Sequence, residues 1–374
     1  MTRFSLKDIL FNRSKVEYLA DLFCAVDADF PKRKFVTGVV KRLPELELKQ
    51  RIVLIAEQLE AFLPTNFPQA TATLVNALPP PLDDTKTDGD FGDFILAPLG
   101  LIVVRNGLSP KYFKRSMSTL REITKRFSME DAMRSFIRIF PSETLEELKR
   151  WSTDANYHVR RLVSESTRPS LPWSGKIGLA AEVTLPLLTQ LHADKTRYVT
   201  RSVANHLNDI AKTHPDLAVD VLSNWHSTGK QEPGELMWMT RHALRTLIKR
   251  GHQRSLHLLG YNLAPKIQVG TIRLEQSQLR FGDTLCFSID LVASRNESLL
   301  IDYEIEFVKA NGRRTAKVFK AAKLKLEKGE SATVSKRHKL VANATTFKLY
   351  PGEHRLSVQI NGQPTPSVNF MLRQ

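Results

Sequence analysis

Cysteine is nearly missing: Cys24 and Cys286 are the two thiols in 374 residues. Isolated and far apart, they make no disulfide framework and no Cys/His metal cluster, which suits a reducing cytoplasm. No apolar run is long enough to span a bilayer. The opening MTRFSLKDIL lacks the apolar core and small-residue cleavage site of a signal peptide, so no export is expected. There is no metal-ligand spacing, no glycine-rich phosphate loop and no nucleophile triad, so neither metal nor cofactor is expected. Acidic residues are in the minority: 39 Asp+Glu against 55 Lys+Arg give a net charge of +16 and a pI near 9.8. Chains this basic meet nucleic acid, an anionic membrane or an acidic protein.

The length exceeds one comfortable core, and the pattern changes near Pro265. Before it, apolar residues recur three or four apart over Lys15–Phe30, Phe35–Phe62, Tyr112–Arg126, Met129–Phe140 and Leu145–Trp151, which predicts helices. After it, seven β-branched segments begin at Ile267, Thr284, Leu300, Thr315, Ser331, His354 and Ser367, with turn signals such as Asn311-Gly312 and Asn361-Gly362 between them. The expected fold is an all-α HEAT-like repeat solenoid over residues 1–264, followed by a small all-β immunoglobulin-like sandwich over 265–374. From Pro265 onward there are 18 Lys+Arg and 10 Asp+Glu, so the shorter segment is the more densely basic. Its lysines suit a second DNA contact or the protection of strand edges. Between the first helices and the repeats, Pro79 to Gly92 is proline-rich and acidic. It reads as a linker or ordered loop facing away from any nucleic acid.

The helical part repeats. Arg121, Arg161, Arg201 and Arg241 are spaced by 40 residues, as are Ile123, Val163, Val203 and Ala243, and Asp154–Val159 recurs as Asp194–Val199. Stacked helical pairs would bring the arginines into a ladder able to follow a phosphate backbone. Pairing of each arginine with the repeat's aspartate is the alternative. Within DANYHVRRLVSESTRPSLPW, residues His158, Arg161, Glu165 and Arg168 share a helix face, and Pro169 turns the chain so that Trp173 returns toward them. This row suits a polyanion carrying a planar base; a solvated helix face beside a core tryptophan is the bland alternative. Ser128 is placed to cap a helix with Glu130 in its first turn, where the dipole favours an anion.

Three segments carry a resemblance: Phe94-Ile-Leu-Ala-Pro-Leu-Gly, Arg126-Phe-Ser-Met-Glu-Asp-Ala-Met-Arg-Ser-Phe, and Asn156-Tyr-His-Val-Arg-Arg-Leu to Arg168-Pro-Ser-Leu-Pro-Trp. They resemble the AlkC branch of bacterial alkylation-repair DNA glycosylases, built from HEAT-like repeats with, in some members, a C-terminal Ig-like domain. The resemblance implies base excision repair: hydrolysis of the N-glycosidic bond of cationic alkylated bases, of the N3-methyladenine and N3-methylcytosine class. It puts Glu130 in the catalytic role, with Glu165 as a supporting acid, and Trp173 against the base or sugar. It puts Arg161 and Arg168 at the family's charged positions, where they would hold phosphates with Arg160 beside them; His158 would add a phosphate contact or be a buried, satisfied histidine, and the repeat ladder adds Arg201 and Arg241 along the groove. The chain departs from the family pattern at Asp131, Ser135, Tyr157 and Ser166. No Schiff-base lysine stands out, so a monofunctional enzyme is expected, acting as a monomer on alkylated DNA, without an obligatory protein partner, in the cytoplasm and on the nucleoid. A non-catalytic HEAT-repeat protein that binds damaged or branched DNA is the alternative.

Overall fold

The computed structural model describes residues 5–83, 85, 91–344 and 347–373. Helices occupy the chain as far as Leu258, and strands begin at Ile267. No helix among the described residues is long and apolar enough to cross a membrane. The helix expected over Phe35–Phe62 is in fact two, Lys32–Val40 and Leu48–Glu60, with a 3₁₀ turn at Leu43–Glu45 between them. Pro44 is the cause: it has no N–H to donate and its ring collides with the preceding turn. The second helix restarts through a capping box in which Glu47 N donates to Gln50 Oε1 at 2.8 Å.

The chain divides into two compact units. One runs through Asp209 and includes Lys230–Glu232; the other contains Ile210–Gly229 and the described chain from Pro233 on. In the first unit the repeat has a clear physical basis. Ile123, Val163 and Val203 are each fully buried, so the 40-residue aliphatic series is core. Asp154 and Asp194 sit in the turns between helices, accepting from Asn156 N at 2.8 Å and from Thr196 N at 2.8 Å. Each also takes an arginine from the preceding repeat: Arg121 Nη2 lies 2.5 Å from Asp154, and Arg160 Nε lies 2.5 Å from Asp194. The register therefore slips by one: Arg160, not Arg161, is the partner of Asp194.

The second unit combines the helices Pro215–Thr228, Pro233–Ala243, Arg245–Lys249 and Gln253–Leu258 with two sheets. In one sheet Thr284–Ala293 pairs antiparallel with Ser331–Lys339 along its length and with Ile267–Val269 and Arg273–Leu274. In the other the order is Gln278–Arg280, Val368–Arg373, Gly352–Ile360, Glu297–Val308, Arg314–Leu326. Inward residues of both sheets, including Leu285, Ile289, Ile301, Ile305 and Phe370, form one core. The segment expected as a single strand from Ile267 is split around Gly270. Lys317, Lys320, Lys323 and Lys325 lie on Arg314–Leu326, the last strand of its sheet, where cations discourage edge pairing. The passage from helix to sheet is fastened by Glu297, 6 % exposed, which accepts from Lys266 N at 2.8 Å and from Asn262 Nδ2 at 3.1 Å. Asn361 Nδ2 donates to Asn262 O at 2.8 Å from the other side.

Glu297→Ala strands these buried donors, a change that costs roughly 1–3 kcal/mol. Calorimetry of the whole chain should show the transition of the strand-rich unit several degrees lower. An unmoved transition would mean that the joint is held by other contacts.

Candidate active site

Glu130 is the first residue of the helix Glu130–Ile139. The cap is Met129, with no side-chain capping bond, so the capping role expected for Ser128 is not realised. Thr124 Oγ1 accepts from Met129 N at 3.2 Å, and Ser128 Oγ instead accepts from Arg161 Nη1 at 2.9 Å. Glu130 is half-buried as a residue, yet its Oε2 is sealed from solvent and has no hydrogen-bond partner among the described residues. That burial raises its pKa above the ordinary 4.5, with Arg161 and Ser128 pulling the other way and the negative Glu165 adding to the rise.

Glu165 has the opposite environment. It lies near the end of the helix Tyr157–Ser166, whose start Asn156 caps by accepting from His158 N and Val159 N. One carboxylate oxygen accepts from Arg168 Nη1 at 2.7 Å and the other from Ser202 Oγ at 2.6 Å, with Arg161 Nη2 at 3.6 Å. Burial would raise this carboxyl, but Arg161 and Arg168 outweigh it and hold the group below 4.5. Arg168 also reaches Asp209 at 2.8 Å. Arg161 lies over the Tyr198 ring at 4.5 Å and the Phe91 ring at 5.8 Å.

His158, Arg161 and Glu165 are buried together, at 4, 8 and 6 % exposure, so the row expected on an open helix face is interior. Arg160 is committed to Asp194 and to the carbonyls of Asp154 and Ala155. His158 stacks on Tyr157 and meets Tyr198 edge-on. Arg201 is half-buried on the helix Arg197–Ala211, while Arg241 is exposed on Pro233–Ala243, in the second unit.

A cavity of about 340 Å³ opens over Glu130, bounded by Phe91, Phe94, Phe127, Arg161 and Trp173. Trp173 is 56 % exposed, unlike a core tryptophan. Its carbonyl accepts from Lys49 Nζ, and the next residue, Ser174, donates to Asp131. Phe91 corrects the reading of Pro79–Gly92 as a segment facing away. The described ends return to the turn beside Glu130, with Leu82 N donating to Lys125 O at 3.0 Å and Gly92 bridged to Phe127. Gly92 has φ +74°, and a Cβ there would lie 1.7 Å from Arg126 O, so glycine is required to deliver Phe91. The acidic middle of the segment lies outside the described residues.

Tyr198 and Arg134 went unnoticed as site residues in the sequence. Tyr198 is the repeat counterpart of His158, a signal present in the alignment of Asp194–Val199 on Asp154–Val159. Its ring is 2 % exposed, and burial pushes its hydroxyl up to about 12. Arg134 shares a face with Glu130, four residues on.

The two carboxylates should answer to neutralisation in opposite ways. Glu130 binds its proton more tightly folded than unfolded, so its contribution to stability is full below pH 4.5 and is lost as pH rises through its raised value. Glu165 contributes above 4.5 and loses that contribution as pH falls through its depressed value. At neutral pH, Glu130→Gln should leave the melting temperature unchanged or higher, while Glu165→Gln, which leaves buried guanidiniums short of their partner, should cost about 3–5 kcal/mol. Equal melting curves for the two variants would contradict this division.

Comparison with known proteins places the chain among relatives that match it along nearly its whole length. Residues 268–374 match the family model described as "Uncharacterised protein YhaZ, C-terminal Ig-like domain". The Bacillus subtilis (strain 168) protein YhaZ, itself uncharacterised, is 34 % identical over 98 % of this chain and 99 % of its own length. A Pseudomonas fluorescens alkylpurine DNA glycosylase, AlkC, solved bound to DNA containing an abasic-site analogue, is 32 % identical. It covers 99 % of this chain and 100 % of its own, with a TM-score of 0.87.

Proposed function

Because the chain belongs to the AlkC family, we propose that Glu130 carries the chemistry of a DNA glycosylase acting on cationic alkylated bases. The observation that carries this reading is the sealed, unpartnered Glu130 Oε2 beside a cavity rimmed by the exposed Trp173. A base alkylated at N3 is cationic and leaves as a neutral molecule. The electron pair of the C1′–N bond goes to the base, and no general acid is needed. The sugar is left oxocarbenium-like. The Glu130 carboxylate offsets that charge and accepts a proton as water adds to C1′, leaving an abasic sugar and the free base. Trp173 offers its π face to the base or sugar. Glu165 supports this arrangement electrostatically while holding Arg161 and Arg168 in place.

DNA is the macromolecular partner on this reading, and Arg201 and the exposed Arg241 are assigned to phosphates. By sequence pattern we assign the glycosylase domain to residues 1–264 and the Ig-like domain to 265–374; the compact units divide the chain earlier, after Asp209, with the helices from Pro215 on grouped with the sheets. The protein works as a monomer in the cytoplasm, on the nucleoid, with no obligatory protein partner.

Glu130→Gln should slow base release from methylated duplex DNA by about 100-fold or more, with DNA affinity nearly unchanged and the freed bases identified by mass. The mutant retaining full turnover would remove Glu130 from the reaction. Tight binding without release by the wild type would leave a non-catalytic protein of damaged DNA. Because Glu130 is raised, the single-turnover rate should fall on the acid side at a pH above 4.5, as the carboxylate takes up its proton. A rate level down to that pH would place the reacting carboxylate elsewhere.

A further inference from the structure

Arg134 lies in the same motif as Glu130, four residues on, and the mechanism above gives it nothing to do. It is fully buried. Among the described residues its hydrogen bonds all end on backbone carbonyls: Nη1 on Arg168 O at 2.7 Å and Ser166 O at 3.2 Å, Nη2 on Gly175 O at 2.6 Å, and Nε on Gly175 O at 3.1 Å. Ser166 and Arg168 mark the C-terminal end of the helix that carries Glu165 and Arg161, where the dipole favours a cation. Gly175 lies two residues beyond Trp173. One more turn along the Glu130 helix, Arg138 Nη2 donates to the same Gly175 carbonyl at 3.0 Å. A Cβ on Gly175 would come within 2.9 Å of the Arg138 guanidinium, so the small residue leaves room for that side chain. One turn back, Asp131 accepts from Ser174. Residues 131, 134 and 138 thus form one stripe of a helix, and the stripe grips the segment that presents Trp173.

We propose that Arg134 is a positioning residue: it locks the Trp173 segment and the end of the Glu165 helix to the helix that begins with Glu130, and so sets the indole against the carboxylate. This rests on the glycosylase reading given above. Fully buried and bonded to backbone carbonyls, Arg134 is not exposed to an incoming duplex. Its loss should therefore act on the chemical step and on the mobility of Trp173, and not on affinity for the duplex.

The experiment compares Arg134→Lys with the wild type in three measurements on the full chain: single-turnover base release, affinity for duplex DNA, and acrylamide quenching of Trp173, obtained by difference from a Trp173→Phe background. Arg134→Lys keeps the charge but not the fork that spans three carbonyls. Release should slow by about 10- to 100-fold, affinity should stay within about threefold, and Trp173 should become more readily quenched. Unchanged release, or release and affinity falling together, would overturn the proposal. If Arg134→Lys fails to fold, Arg138→Ala removes an exposed guanidinium from the same carbonyl. It should slow release by a smaller factor with the same quenching signature, and unchanged quenching would overturn the proposal. Should the wild type release no base, the glycosylase reading fails on its own, and the quenching comparison still decides whether this stripe holds Trp173.

Discussion

Glu165 lies between the guanidiniums of Arg161 and Arg168 in the interior of the first unit. Removing charges like these from water costs several kcal/mol each, and their mutual attraction repays it only where the geometry is good and the remaining donors are satisfied. Here they are satisfied outward in every direction: Arg168 by Asp209, Glu165 by Ser202, Arg161 by Ser128 and by the face of Tyr198. Three of those partners, Tyr198, Ser202 and Asp209, come from the single helix Arg197–Ala211, and Ser128 comes from the turn before Glu130. One buried carboxylate therefore fixes the register between successive repeats at the point where the cavity opens.

Where Arg161 is held decides what Glu130 experiences. Were Arg161 free to pair with Glu130, the carboxylate at the cavity would be neutralised and its pKa pushed down. With Glu165 as the dominant partner of Arg161, Glu130 keeps an Oε2 that no donor among the described residues occupies. An unsatisfied buried acceptor is costly, and such sites are tolerated where function uses them. The two carboxylates thus differ in surroundings: Glu165 is fully engaged and shapes the site, and Glu130 faces the cavity.

Much of this was legible in the chain. The 40-residue repeat and the change to strands near Pro265 follow from periodicity, because they express local pattern, while the grouping of Glu130 with Arg161 and Trp173 came from the family resemblance. What sequence hid was burial. His158, Arg161 and Glu165 do share a helix face, with Arg168 just past the helix end, but periodicity cannot say whether a polar face looks at solvent or at another polar face. Here Asp209 and Ser202 face it from the Arg197–Ala211 helix and complete the network. The one-residue slip from Arg161 to Arg160 had the same origin: only the neighbouring turn, with Asp194 in it, decides which of two adjacent arginines it receives. Phe91 was hidden by its surroundings, since an acidic, proline-rich stretch gives no hint that its last residues return to the site.

Pairs of titratable groups whose surroundings drive their pKa values apart are a sign of assigned roles in catalysis. Glu130 and Glu165 make such a pair, yet neither shift can be credited to its own residue alone. The rise at Glu130 comes first from burial, and part of it from the negative charge that Glu165 keeps. The fall at Glu165 comes from guanidiniums, one of which also steadies Glu130. Each carboxylate is part of the other's environment, so the split persists only while Arg161 stays nearer to Glu165. Ser128 and Tyr198 are what keep it there, by occupying the side and face of the guanidinium that would otherwise be free to swing. The placing of this guanidinium therefore rests as much on an uncharged hydroxyl and an aromatic ring as on the charges themselves.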